Sequence, residues 1–113
     1  MAATLTKEER LSGKTAVAAL MTEGSWAHYG HFKYCILRHE GEGVNRIMVS
    51  VPKKHFKRAV KRNLLKRRIR EAYRTQKDLL NHNGTDILFY FNSNEIAEYD
   101  TVRSEVGAIL KKI

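Results

Sequence analysis

The chain carries a single cysteine, Cys35, and a single proline, Pro52, among 113 residues. One thiol makes no intrachain disulfide, so a secreted disulfide scaffold is excluded and a reducing compartment is favoured. Long hydrophobic runs are also missing. The apolar run from Ala16 to Met21 covers six residues, short of a secretory signal and far short of the roughly 18 apolar residues of a membrane span. A cytoplasmic protein with no membrane partner is expected. Acidic residues are the third scarcity: 12 Asp and Glu stand against 21 Lys and Arg, giving a formal net charge of +9 and a pI near 9.9. The apolar fraction of 42% and charged fraction of 29% fit a folded domain, and the length fits one domain over residues 1–113. A net positive charge of this size favours a polyanion as partner, most simply nucleic acid.

Neither an internal repeat nor a low-complexity linker interrupts the chain. Residues 7–22 read as a helix, with Leu11, Val17, Leu20 and Met21 on one face and Gly24 as its stop. Residues 31–38 alternate as a strand: Phe32, Tyr34 and Ile36 point one way, Lys33, Cys35 and Leu37 the other. A short edge strand precedes it near Ser25 to His28. Glu40 to Gly43 read as a hairpin loop, and residues 46–51 as the returning strand, which Pro52 ends. Residues 58–80 read as the longest helix, with Leu65, Ile69, Ala72, Tyr73 and Leu80 at helical spacing and Asn81 to Gly84 as its stop. Residues 86–91 read as a buried strand, and a last helix runs from about Asp100 to Lys112 with Val102, Val106, Ile109 and Leu110 inward. The expected architecture is α+β, with helices layered on one small sheet.

Charge is concentrated in one segment. Eleven cations lie between Lys53 and Arg74, against one anion, Glu71, and the rest of the chain is close to neutral. At about 100° per residue, Asn63, Lys66, Arg67, Arg70 and Arg74 fall on one side of the helix and Leu65, Ile69, Ala72 and Tyr73 on the other. One face can therefore pack on the sheet while the opposite face stays cationic. Crowding of like charge destabilises the free helix, and a bound polyanion relieves it. Arginine forks grip phosphate in pairs of bonds and lysines act as point charges. The amide of Asn63 can hydrogen-bond a base edge, a ribose hydroxyl or a phosphate. A solvated face and a basic helix lying on a membrane explain the density and one-sidedness less well.

Groups that resemble a chemical centre fail on geometry. His28, His31, Cys35 and His39 are spaced by three, four and four residues, which on a helix would invite a zinc site. On a strand, residues four apart lie roughly 13 Å apart, so they share no ion, and a Cys35–His39 nucleophilic pair fails likewise. The carboxylates form no nuclease-like cluster, and Gly41 and Gly43 do not form a phosphate-binding loop. No catalytic residue and no metal ligand is expected in this chain.

The segment from Met48 to Arg74 resembles the bacterial ribonuclease P protein subunit. Val49, Ser50, Val51, Lys53 and Lys54 match the family's strand ending. Ala59, Val60, Arg62, Asn63, Lys66, Arg67, Arg70 and Glu71 match its basic helix, Arg10-Leu11 its start, Gly24 its turn and Phe32 its first long strand. The resemblance implies an α-β-β-β-α-β-α fold of three helices on about four strands, with a left-handed βαβ crossover. It implies a protein cofactor of a catalytic RNA that cleaves the 5′ leader from precursor tRNA, with the active site and its Mg²⁺ ions in the RNA and none bound by the protein alone. Its partners would be that RNA and precursor tRNA, with no obligate protein partner. RNA contact is expected at Lys53, Lys54, Lys57, Arg58, Lys61, Arg62, Asn63, Lys66, Arg67, Arg68, Arg70 and Arg74. A leader cleft between the first helix and the sheet is expected at Val17, Met21, Lys33 and Cys35. The sequence departs from the family at Leu64, where an arginine is usual, so that contact is lost or moves to Arg68. It departs also in the longer loop His55–Arg58, and in cleft positions that are not aromatic. The competing readings are a small ribosomal or RNA-assembly protein with no role in cleavage, and a self-sufficient nuclease, against which the missing carboxylate cluster argues.

Overall fold

A computed structural model describes residues 9–11, 13–39, 43–80 and 84–113. Helix α1 spans Lys14–Glu23, followed by strands β1 (Ser25–Tyr29), β2 (Phe32–Arg38) and β3 (Arg46–Ser50). Helix α2 spans Ala59–Arg74, and a short 3-10 turn occupies Lys77–Leu79. Strand β4 (Thr85–Phe91) and helix α3 (Tyr99–Lys112) complete the chain. The element order and the mixed α+β architecture match the expectation.

The four strands lie in the order β1-β2-β4-β3. β1 and β2 form a tight hairpin in which Tyr29 faces Phe32 across Gly30 and His31. β4 pairs antiparallel with β2, Tyr34 facing Phe89, and parallel with β3, Ile47 facing Ile87. The sheet order corrects the expected hairpin: β3 does not return along β2. A turn-forming segment shows where the chain can bend but not which strand it meets next. β4 carries apolar side chains on both faces, and the central position buries both. Residues 40–42 of that connection lie outside the described residues.

Strand alternation divides the core in two. Phe32, Tyr34, Ile47, Ile87, Phe89 and Phe91 pack on one face against Leu65, Ile69, Ala72 and Tyr73 of α2 and Val102, Val106, Ile109 and Leu110 of α3. Cys35 and Leu88 pack on the other face against Leu11 and Leu20. The expected facing of β2 and the inward residues of α2 and α3 therefore hold. Burial, with the Glu9 carboxylate adding to it, pushes the Tyr73 phenol up to about 12, so it stays neutral at physiological pH.

Boundaries differ where backbone partners override periodicity. Residues 9–11 are not part of α1, and residues 7, 8 and 12 of the expected helix lie outside the described residues. Arg10 bridges Ile47 in parallel, and the Leu11 N–H donates to the Ile47 carbonyl at 2.8 Å. This segment covers the outer edge of β3, which would otherwise present unpaired groups. α1 ends at Gly24, as expected, and its N–H donates to the Leu20 carbonyl at 2.9 Å. A Cβ there would strike that carbonyl and the Cys35 Sγ, so only glycine permits so close a passage. α2 ends at Arg74, six residues before the expected limit, where the Thr75 N–H and hydroxyl both reach the Glu71 carbonyl. Leu80 is buried, but from the segment after the 3-10 turn.

Two carboxylates fasten the sheet ends. Asp86, 1% exposed, accepts from Arg46 Nε and Nη2 at 2.8 Å each, and lies 2.6 Å from His39 Nε2. Glu105 on α3 accepts from the His31 backbone N–H at 3.0 Å and pairs with His31 Nδ1 at 2.5 Å. Gly30 has φ of 55°, and a Cβ there would strike the Glu105 carboxylate. The β1–β2 turn is thus tied to α3, 74 residues away in sequence.

The two partners at Asp86 differ in solvent access. The Arg46 side chain is 33% exposed and Asp86 only 1%. Arg46→Ala takes two charged hydrogen bonds from a buried carboxylate that keeps His39, and should cost about 3 kcal/mol. Asp86→Asn leaves cations that water can reach and should cost about 1 kcal/mol. Urea denaturation of the two variants at neutral pH tests this order; an equal or inverted cost would refute the assignment. Cys35 offers a second test of the core. Its thiol donates to the Leu20 carbonyl at 3.2 Å under α1, and burial pushes its pKa up. Labelling by a thiol-reactive dye at pH 8 should be slow in the native protein and fast in guanidinium chloride, because exposure needs α1 to open. Fast native labelling would show that α1 is not seated as described.

Candidate nucleic-acid interface

The loop from β3 to α2 is ordered by its own backbone. The Pro52 carbonyl accepts from His55 and Phe56 N–H groups at 3.2 and 3.4 Å. The Phe56 ring is buried beside Phe91, with centroids 6.0 Å apart. His55 Nδ1 lies 2.5 Å from Asn94 Oδ1. With these anchors inside, Lys53, Lys54, Lys57, Arg58 and Lys61 are all exposed. The first turn of α2 holds no acidic residue, so its helix dipole adds to the positive potential there.

Along α2 the cations separate into two kinds. Arg67, Arg70 and the amide of Asn63 are exposed, and Lys66 is half-buried. Arg62 is turned inward: its Nη1 donates to the Phe56 and Lys57 carbonyls at 2.8 Å each. Arg68 Nη1 donates to the Ala97 carbonyl at 2.6 Å, fastening α2 to the segment before α3. Both flank Leu65 by about 60° on a helical wheel, which places them at the rim of the buried face. Arg68, where the contact missing at Leu64 was expected to move, thus commits one guanidinium N–H group to the protein's own backbone. Arg74 pairs with Glu71 at 2.5 Å, and that hydrogen bond holds the Glu71 carboxyl below its usual range.

Arg10 is the residue that sequence reasoning missed here. Placed by its bridge to Ile47, it lines a groove of about 750 Å³ together with Val60, Asn63, Leu64, Arg67, Arg70, Glu71 and Arg74. Among the described residues, four arginines and one carboxylate line this groove. No signal in the local sequence indicated that residue 10 would meet α2.

The second expected site, between α1 and the sheet, is also rearranged. Cys35 is fully buried and forms the floor beneath α1 instead of lining an opening. Val17 is half-buried against the same cluster, and Met21 is 49% exposed. Met21 and Lys33 line a hollow with Trp26, His28, Lys54, Tyr90 and Asn92. The Lys33 ammonium lies 4.9 Å from the Trp26 ring centroid, a cation–π distance. Trp26 and Tyr90 are aromatic groups in a place where the expected residues were not aromatic. Lys54 joins this hollow to the basic loop. Among the described residues, no group of three or more His, Cys, Asp or Glu side chains is placed to hold a metal ion. No helix among them is long and apolar enough to cross a membrane.

The sequence and the fold of this chain match proteins of one family. The family model described as Ribonuclease P matches residues 5–113. A ribonuclease P protein component from Porphyromonas gingivalis is 34% identical, over 96% of this chain and 85% of its own length. The RNase P protein from Thermotoga maritima superposes with a TM-score of 0.79 at 26% identity, covering 93% of this chain and 97% of that one. The RNase P protein of Staphylococcus aureus superposes with a TM-score of 0.80 at 21% identity, over 94% and 95% of the two chains, a likeness of fold.

The two kinds of arginine predict two kinds of variant. Arg67→Ala and Arg70→Ala should each weaken binding to structured RNA and flatten its salt dependence. With four to six phosphates neutralised, the parent log–log slope should be about −3 to −4 on single strands and steeper on duplex. Arg68→Ala should instead lower thermal stability, with about 1.5–3 kcal/mol lost with a charged hydrogen bond. Salt titrations of binding, paired with melting curves, separate the two. An unchanged slope in Arg67→Ala would remove that residue from the interface.

Proposed function

The chain belongs to the ribonuclease P protein family, and from that premise we propose that it binds the catalytic RNA of ribonuclease P and the 5′ leader of precursor tRNA, promoting endonucleolytic maturation of tRNA 5′ ends. The observation that carries this reading is the segregation of cations on α2 and the loop before it. Lys53, Lys54, Lys57, Arg58, Lys61, Arg67 and Arg70 are exposed together. The buried carboxylates Asp86 and Glu105 are occupied by Arg46, His39 and His31 elsewhere.

The chemistry assigned to this chain is binding and charge neutralisation. Bond cleavage and the Mg²⁺ ions that serve it are assigned to the RNA, and no step is assigned to a metal held by the protein. Cations at fixed positions release counterions from the RNA. They thereby lower the phosphate repulsion that Mg²⁺ must otherwise screen. The hollow between α1 and the sheet suits a single strand. Trp26 and Tyr90 offer faces for bases, each worth about 1–3 kcal/mol when stacked, and Lys33 and Lys54 offer charges to the phosphates between them. The reading supports a cytoplasmic ribonucleoprotein.

The decisive measurement is 5′ cleavage of a precursor tRNA by a bacterial ribonuclease P RNA at low Mg²⁺, with and without this protein. Cleavage at the mature 5′ end only when both are present is the expected result. Tight RNA binding without stimulation, repeated with RNAs from several bacteria, would point to an assembly role. Cleavage by the protein alone would overturn the assignment of catalysis to RNA.

A further inference from the structure

The groove between Arg10 and α2 is not uniformly charged. Val60, 79% exposed, and Leu64, half-buried, lie four residues apart on the helix and form an apolar strip inside it. Phosphate contact gains nothing from such a strip, because a duplex presents a polar, charged backbone. We infer that this groove seats one unpaired RNA nucleotide, with its base against Val60 and Leu64 and its flanking phosphates on Arg10, Arg67 and Arg70. This rests on the RNA-binding reading and adds to it what kind of RNA element the helix takes.

Four observations support the seat. The groove volume of about 750 Å³ falls in the range of small-ligand pockets, about 300–1,000 Å³. Asn63 lies on its wall, and an amide both donates and accepts, as a base edge requires. Among the described residues the one carboxylate lining the groove, Glu71, is held by Arg74, so its charge is compensated where a phosphate would approach. Finally, Arg68 is fastened to Ala97, and a cation from outside α2, Arg10, lines the groove with Leu64. Cations on both sides of an apolar floor fit a nucleotide lying between two phosphates. Bases in an A-form helix are hidden from such a floor, whereas bases in bulges and loops are not.

The test uses the full chain and two RNA hairpins, one fully paired and one with a single bulged 2-aminopurine. The native protein should bind the bulged hairpin about tenfold more tightly, a difference of 1.4 kcal/mol. The 2-aminopurine fluorescence should rise, because the base leaves its stack for a groove that, among the described residues, is lined by no aromatic ring. Leu64→Arg adds a cation. It should tighten binding to both hairpins, abolish the preference and suppress the rise. Val60→Ser, at an exposed position that folding tolerates, should lower affinity for the bulged hairpin toward that for the paired one. Equal native affinity for both hairpins, or a preference that survives both substitutions, would overturn the nucleotide seat and leave the RNA-binding reading standing. Failure of the native protein to bind either hairpin would overturn that reading and the seat together.

Discussion

The parallel pairing of β3 with β4 decides where the densest run of cations on this molecule goes. Two parallel neighbours cannot be joined by a short turn; the chain must cross from the end of one to the start of the other. Here the crossing consists of the loop after Ser50, helix α2 and the segment leading to Thr85. To close over the sheet, α2 must bury one stripe, and Leu65, Ile69, Ala72 and Tyr73 supply it without a polar interruption. The rest of the helix surface faces solvent, and together with the loop before it this segment carries the chain's excess of positive charge. A crossover imposed by topology thereby becomes a cationic ridge held against a rigid sheet.

Holding that ridge together is an electrostatic problem, and the fold solves it by giving some of its arginines internal acceptors. Arg62 and Arg68 direct guanidinium N–H groups at backbone carbonyls of Phe56, Lys57 and Ala97. Both cations thus gain bonds that offset part of the repulsion from their neighbours, and both tie α2 to flanking loops. Arg74 is compensated by Glu71. What remains uncompensated around Arg67, Arg70 and the loop lysines is the part of the field that a polyanion would meet.

Periodicity in the sequence alone reveals much of this. The alternation of Phe32 to Leu37 named both faces of β2 correctly, and the 3.6-residue spacing of Leu65, Ile69, Ala72 and Tyr73 named the buried side of α2. These patterns are legible because each depends only on the local direction of side chains. Strand order depends on which distant segment needs burial on both faces, and a turn-like run at Glu40 to Gly43 carries no information about that. The start of α1 was misplaced for a similar reason: Arg10 and Leu11 satisfy their backbone through Ile47, a partner 36 or 37 residues away. The inward turn of Arg62 and Arg68 was within reach, because both lie about 60° from Leu65 on the wheel. Charge alone suggested solvent, and the wheel position argued for the rim of the core.

The same non-local placement explains how two openings come to act in one frame. Arg10 reaches the α2 groove only because residues 9–11 lie along β3, and Lys54 reaches the α1 hollow only because Phe56 anchors its loop in the core. Neither residue stands on a free tail. Groups held by packed elements keep their spacing when a ligand arrives, and less conformational entropy is lost on binding. Cys35 contributes in the same way from beneath: by filling the space under Leu20 it sets the height of α1 above β2, and so the width of the hollow that Met21, Trp26 and Lys33 border. A larger side chain at position 35 would lift the helix, and a change that touches no ligand would alter the site through its floor.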